Sequence, residues 1–158
     1  MSGLLVRLVP AFALAFVFDW LTKGWAERTL SLYEPVPLIG QGIRLTLGYN
    51  SGVAFGMFAN GGVWLALLTG LIMLGAVVWL IQAVRTGNAH PALAWPAGLL
   101  LGGGAANLLD RLGDGRVTDF IDVGLGAARW PTFNMADACI VVAVAAFLLT
   151  STKKDAVR

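Results

Sequence analysis

Histidine and cysteine are nearly absent from this 158-residue chain, one of each, and charged side chains make up only 13% of it. The lone Cys139 lies inside an apolar run, so it forms no internal disulfide and leaves the redox compartment open. With His90 as the sole imidazole, the nitrogen and sulfur ligands of a usual zinc site cannot be assembled. The net charge is only +2, and the basic residues are scattered rather than clustered with aromatics, so no footprint for a nucleic-acid partner is visible. Charge is missing altogether between Arg44 and Arg85, and again from Thr86 through Leu109. Two such stretches fit hydrocarbon better than the core of a soluble fold.

What is present is apolar: 58% of the residues are hydrophobic. The expectation is an all-α integral membrane protein, one membrane-embedded domain over residues 1–158, with spanning helices at about 4–21, 63–84, 92–109 and 135–152. The N-terminal run reads as an uncleaved first helix rather than a signal peptide, because it continues through Phe16, Val17 and Phe18 into a charged segment. Four crossings put both termini on one side. Arg85 in a short turn and Lys153, Lys154 and Arg158 in a short tail crowd that side with positive charge, which makes it cytoplasmic.

The connections are unequal, and only the two long ones have room for chemistry. In the first, Ile43, Leu45 and Leu47 alternate with Arg44, Thr46 and Gly48, the period-two pattern of a half-buried strand. The expectation is therefore a small extracytoplasmic β-containing segment between helices 1 and 2. In the third helix, Gly98, Gly102, Gly103, Gly104, Ala105 and Ala106 form a small-residue face suited to close helix packing.

Carboxylates near membrane depth cost on the order of 2.5–3.5 kcal/mol each on insertion scales, so Asp19, Asp110, Asp119 and Asp137 call for explanation. The topology puts all four at one membrane face, with His90 across the membrane from them, which disfavours Ser–His and Cys–His nucleophiles. Each acid has a plain structural alternative. Asp19 and Lys23, four apart on a helix, could be an ion pair. Asn134 followed by Asp137 reads as an N-cap and an acidic first turn. Asp114 with Gly115 reads as a turn, and Asp122 as a solvated loop residue. Carboxylate chemistry remains, or Ser51 with Lys23.

Four blocks then carry a resemblance. They are Asp19-Trp20-Leu21-Thr22-Lys23; Asn50-Ser51-Gly52-Val53-Ala54-Phe55; Asn107-Leu108-Leu109-Asp110-Arg111 continuing to Val117-Thr118-Asp119-Phe120; and Phe133-Asn134-Met135-Ala136-Asp137. Together, and in this order, they resemble the lipoprotein signal peptidases, or signal peptidase II, a family of four-helix bacterial membrane aspartyl peptidases. The resemblance spans most of the chain. Trp20 stands where the family usually has Gln, and Ala106 where it usually has Gly; neither position supplies a proposed catalytic group.

The resemblance implies an enzyme of the bacterial inner membrane that cleaves a prolipoprotein just before its diacylglyceryl-modified cysteine. It implies no cofactor; membrane lipids surround the enzyme, and a monomer is the default. Asp119 and Asp137 map onto the family's catalytic pair. Asn50, Gly52, Asn107, Arg111 and Asn134 map onto positions that line or brace the site, Asp19 and Lys23 onto a further motif near it, and Asp110 with Arg111 reads as structural. Two close carboxylates cannot both ionise cheaply, so one keeps a proton while the other activates water. Phe55, Met57 and Phe58 are expected to cover the substrate or to pack on the bilayer surface. The competing readings are a serine–lysine peptidase using Ser51 and Lys23, a metal-dependent lipid transferase binding Mg²⁺ through Asp110, Asp114, Asp119 and Asp137, and a scaffold or transporter subunit whose aspartates only cap and pair.

Overall fold

A computed structural model describes residues 2–52, 62–87 and 91–155, with side chains over 3–52, 63–87 and 91–150. The expectations attached to Phe55, Met57, Phe58 and His90, and to the side chains of Lys153, Lys154 and Arg158, fall outside these described residues. Among the described residues there are four α-helices: α1 (Ser2–Thr29), α2 (Gly62–Arg85), α3 (Ala94–Asp114) and α4 (Met135–Asp155). A single 3₁₀ turn, Pro91–Leu93, leads into α3. Three helical stretches, Gly3–Thr29, Val63–Arg85 and Pro91–Asp114, are long and apolar enough to cross a membrane, and Met135–Thr150 is a shorter apolar helix.

Helix α3 is the hub, and its glycines explain why. A Cβ at Gly98 or Gly102 would run into backbone of α1, at Leu8 O and Phe12 O, and would crowd Ala11 and Ala15, both fully buried. A Cβ at Gly103 would meet Ala136 O of α4 at 2.7 Å, and one at Gly104 would meet the Met73 sulfur of α2 at 3.2 Å. Successive small residues thus admit three neighbouring helices to close approach, as the small-residue face led us to expect.

Helix α1 does not stop near Leu21, where its hydropathy falls, but runs on to Thr29. Hydropathy marks where lipid contact ends, not where backbone hydrogen bonding ends. The added turns are held by a cluster in which Ala26 packs with Leu47 and Phe120, and Trp25 meets Phe120 edge-on at 6.4 Å. At about 1.5 Å per residue, this extension carries Lys23 and Glu27 up to the sheet.

That sheet corrects the expectation of a β-segment confined to the first long connection. It has four antiparallel strands in the order β1-β2-β3-β4: β1 (Val36–Ile39) and β2 (Ile43–Asn50) come from the first connection, β3 (Val117–Leu125) and β4 (Ala128–Arg129) from the second. Register shifts between Leu45 and Gly48, so Gly48 faces Asp119 while Arg44 faces Asp122. After β4 the chain doubles back, and Phe133 bridges to Ile121 through Phe133 N–H to Ile121 O at 3.0 Å and the reverse bond at 2.9 Å. The return delivers Asn134 and the start of α4 to the side of β3.

Candidate active site

Asp19, Lys23 and Glu27 recur every four residues and share one face of α1. The Lys23 ammonium lies 2.5 Å from Asp19 Oδ2, 2.7 Å from Asp110 Oδ2 and 2.9 Å from Asn107 Oδ1. The ammonium thus pairs with two carboxylates and donates a hydrogen bond to one amide oxygen. Asp19 is fully buried, and its other oxygen accepts the Ala136 N–H at 2.8 Å, which ties α1 to the first turn of α4. The ion pair that the sequence offered as one reading of Asp19 and Lys23 is present, enlarged by Asp110.

Asn134 caps α4 in a reciprocal arrangement. Its Oδ1 accepts the Asp137 N–H at 2.9 Å, and Asp137 Oδ2 accepts the Asn134 N–H at 3.3 Å. The same side chain then turns its Nδ2 toward Asp119 Oδ1 at 2.7 Å, with longer contacts to Asn107 Oδ1 at 3.2 Å and Thr118 O at 3.3 Å. Asp119 and Asp137, distant in sequence, thus share one asparagine. Asn50 Nδ2 donates to Asp119 Oδ2 at 3.1 Å, and Asn107 Nδ2 donates to Asp137 Oδ1 at 2.8 Å.

The orientation of each amide follows from an atom that only donates. Asn50 Oδ1 accepts the Gly52 N–H at 2.9 Å, Asn134 Oδ1 accepts the Asp137 N–H, and Asn107 Oδ1 accepts the Lys23 ammonium. None of these donors can accept, so all three asparagines must aim their N–H groups at the carboxylates. Three side-chain amides around two acids add no net charge. Arg111 supplies the nearby cation; its guanidinium reaches Asn107 O and Gly52 O, each at 3.4 Å.

Asp119 is only 2% exposed. Burial, and then the charge of neighbouring Asp137, push its carboxyl up to about 7 against the hydrogen bonds from Asn50 and Asn134. One proton held near neutrality beside a second carboxylate is what acid–base cleavage of an amide requires. Asp110, by contrast, faces Lys23 and has no direct hydrogen bond to Asp137 or Asp119 among the described residues.

Asp114 and Gly115 form the turn the sequence indicated: Gly115 has φ +80° and closes α3 by bonding to Arg111 O. Asp122 corrects the reading of a solvated loop residue. It lies in β3, 4% exposed, and accepts from Arg44 Nη2 at 2.6 Å, Arg129 Nε at 2.6 Å and Thr46 Oγ1 at 3.1 Å. Burial draws its carboxyl up, but the hydrogen bonds from Arg129, Arg44 and Thr46 outweigh it and hold the group below the usual range. Arg44 and Thr46, two apart on the polar side of a forecast strand, were the signal for such a partner. Glu27 was also missed: Thr118 Oγ1 donates to its Oε1 at 2.6 Å, pinning the strand one residue before Asp119. The four-residue spacing from Lys23 points to it once α1 is extended.

Against known proteins, residues 11–153 match the family model described as signal peptidase (SPase) II. The lipoprotein signal peptidase of Desulforapulum autotrophicum is 35% identical over 149 residues, 91% of this chain and 90% of that protein. That of Gloeobacter violaceus is 36% identical over 148 residues, 92% and 81% of the two chains. A bacterial membrane enzyme solved by the in meso method at 2.3 Å superposes with a TM-score of 0.82 at 23% identity, covering 93% of this chain and 88% of the other. A second such enzyme, solved at 1.9 Å, gives 0.77 at 24% identity, with 90% of each chain covered. At these identities the structures speak for the fold.

Proposed function

The chain belongs to the signal peptidase II family of membrane peptidases, which remove signal peptides from prolipoproteins, and from that membership we propose that Asp119 and Asp137 are its catalytic pair. The observation that carries the assignment is Asn134 hydrogen-bonded to both acids, its side-chain N–H to the Asp119 carboxylate and its backbone N–H to that of Asp137, with Asn50 and Asn107 each supplying a side-chain amide to one of them. One member, ionised, takes a proton from water as it attacks the scissile carbonyl. The other, protonated, donates to the carbonyl oxygen and later to the departing amine. The bond cut is the one before the lipid-modified cysteine, as the motif blocks suggest.

Helix α4, whose apolar part Met135–Thr150 is shorter than the three long spans, is read as a fourth crossing on the strength of the family resemblance, and with it a single domain whose termini both lie in the cytoplasm of a bacterial inner membrane. The dyad then sits at the extracytoplasmic face, where the prolipoprotein anchor enters. A groove of about 510 Å³ between α2 and α3, walled by Leu67, Leu71, Leu74, Leu108 and Leu112 beside Arg111, offers apolar space for the substrate. The enzyme acts as a monomer within the lipid.

Two rival chemistries find less support. Lys23 donates to Asn107 and is ion-paired with Asp19 and Asp110, which makes it a poor base for Ser51. Asp110 pairs with Lys23 and Asp114 with Arg116, so the acids a metal-dependent transferase would need point to different partners. The deciding experiment incubates purified protein with a diacylated prolipoprotein. Asp119→Asn and Asp137→Asn each abolish cleavage, whereas Asp110→Asn and Ser51→Ala retain measurable turnover; full activity in either dyad variant refutes the assignment.

A further inference from the structure

Among the described residues the Lys23 ammonium makes no hydrogen bond or ion pair with either dyad member, yet it is the charged and shorter of two donors that orient the amide meeting Asp137. Asn134 is oriented by a backbone N–H, and so is Asn50. Asn107 alone takes its orientation from side chains: Lys23 is the shorter and charged donor to its Oδ1, and Asn134 Nδ2 donates to the same oxygen at 3.2 Å. Asn107 Oδ1 accepts from Lys23 Nζ at 2.9 Å, which leaves Nδ2 to donate to Asp137 Oδ1 at 2.8 Å. An amide can flip; an ammonium cannot accept. Were Asn107 reversed, its NH₂ would face the ammonium and its oxygen would face the carboxylate, two repulsive contacts in a buried site.

The acids differ in a second respect. Asp137 sits in the first turn of α4, with the Asn134 N–H on its other oxygen and the positive end of the helix behind it, and it is partly exposed. Asp119 is 2% exposed on a strand that offers no such dipole. The charged groups facing Asp137 are Lys23 from α1, Arg111 from α3 and Asp119 from β3, with Asp19 and Asp110 reached through Lys23. Both cations favour a charged Asp137. An amide polarised by Lys23 on one side donates more strongly on the other.

We propose that Lys23 is a positioning residue of the dyad: by holding Asn107 Oδ1 it makes the Asn107 amide present its N–H to Asp137, and so makes Asp137 the charged, water-activating member and Asp119 the proton donor. This rests on the dyad assignment above and names the part each acid plays. Asp19 and Asp110 keep the ammonium in place, one on α1 itself and one on α3, so that a single cation registers two helices against the first turn of a third.

The test is the pH profile of cleavage of a diacylated prolipoprotein by the full-length protein. Lys23→Met lowers kcat about tenfold or more, leaves KM within about twofold, and moves the acid limb of kcat/KM to higher pH. Lys23→Arg, which keeps the charge and the donors, restores the limb. Because Lys23→Met strands the buried Asp19 and the part-buried Asp110 carboxylates, a compensated variant, Lys23→Met with Asp19→Asn and Asp110→Asn, is measured beside it; it melts near the wild-type temperature and shows the same kcat loss and limb displacement. Loss of kcat with the limb in place, a change confined to KM, or a compensated variant with wild-type kcat and limb overturns the proposal. Asp119→Asn and Asp137→Asn run in parallel: activity in either defeats the dyad itself, whereas inactive dyad variants beside a normal compensated variant defeat only the role of Lys23.

Discussion

Raising the pH through neutrality should switch off cleavage and loosen the fold through the same carboxyl. Asp119, pushed up to about 7 by burial and by Asp137, is protonated in the folded protein over a range in which an unfolded aspartate is charged. The gap from an ordinary carboxylate corresponds to about 4 kcal/mol in favour of the protonated form. A raised folded-state value means that this stability is fully present below the unfolded value and is lost as pH rises through about 7. The assay is thermal unfolding of wild type and Asp119→Asn in the same lipid or detergent, from about pH 5 to about pH 8, alongside kcat/KM over the same range. Wild type loses stability relative to Asp119→Asn across that window, and kcat/KM falls on an alkaline limb centred near 7. Parallel unfolding curves for the two proteins, or an alkaline limb far above 7, would refute the reasoning that Asp119 keeps the catalytic proton.

Gly102→Ala places a methyl against the Phe12 backbone and should cost about 1–3 kcal/mol, whereas Gly113→Ala on the same helix, with nothing within 4 Å, should be neutral or slightly stabilising; thermal unfolding of the pair checks both. Asp122→Asn should destabilise by about 2 kcal/mol, since it leaves Arg44 and Arg129 without their shared carboxylate, and wild type should lose that advantage as pH falls through the lowered Asp122 value. Asp114→Asn, whose partner Arg116 is exposed, should leave unfolding unchanged. Asn50→Ala removes one donor from Asp119 and should lower kcat about tenfold in the cleavage assay; unchanged turnover would show that this hydrogen bond does nothing for the reaction.

The helices were legible because hydrocarbon demands long uncharged runs, as in Val63 to Val84. The α3 glycine run announced close packing for a similar reason: only missing side chains permit it. The extension of α1 was hidden because Thr22 to Arg28 look like loop to a hydropathy window, although Ala26 and Trp25 bury on a sheet that the window cannot know of. The sheet itself was half legible. Alternation exposed β2, but β3 is buried along Val117 to Phe120 and shows no alternation, so its strand character and the burial of Asp122 depend on partners far away in sequence. Of the site, the acids and asparagines were readable as types in motif blocks. Their pairing was not, because it passes through the doubling back at Phe133 and the register shift opposite Gly48.

The choice of asparagine around the dyad has a physical logic that extends to Lys23. A cation bonded directly to either carboxylate would hold it ionised, and two ionised acids lack the proton the leaving amine needs. Water in the same places would neither fix the geometry nor stay put as substrate enters. Amides donate without charge, but each can flip, and a flipped amide turns a supporting donor into a repulsive acceptor. The fold removes that freedom three times, by the Gly52 N–H, by the Asp137 N–H and by the Lys23 ammonium, each a donor with no capacity to accept. Only the last carries charge, and it stands one amide away from Asp137, neutralised by Asp19 and Asp110. The cation's influence therefore reaches the dyad as direction rather than as a salt bridge, which keeps one carboxyl free to hold its proton.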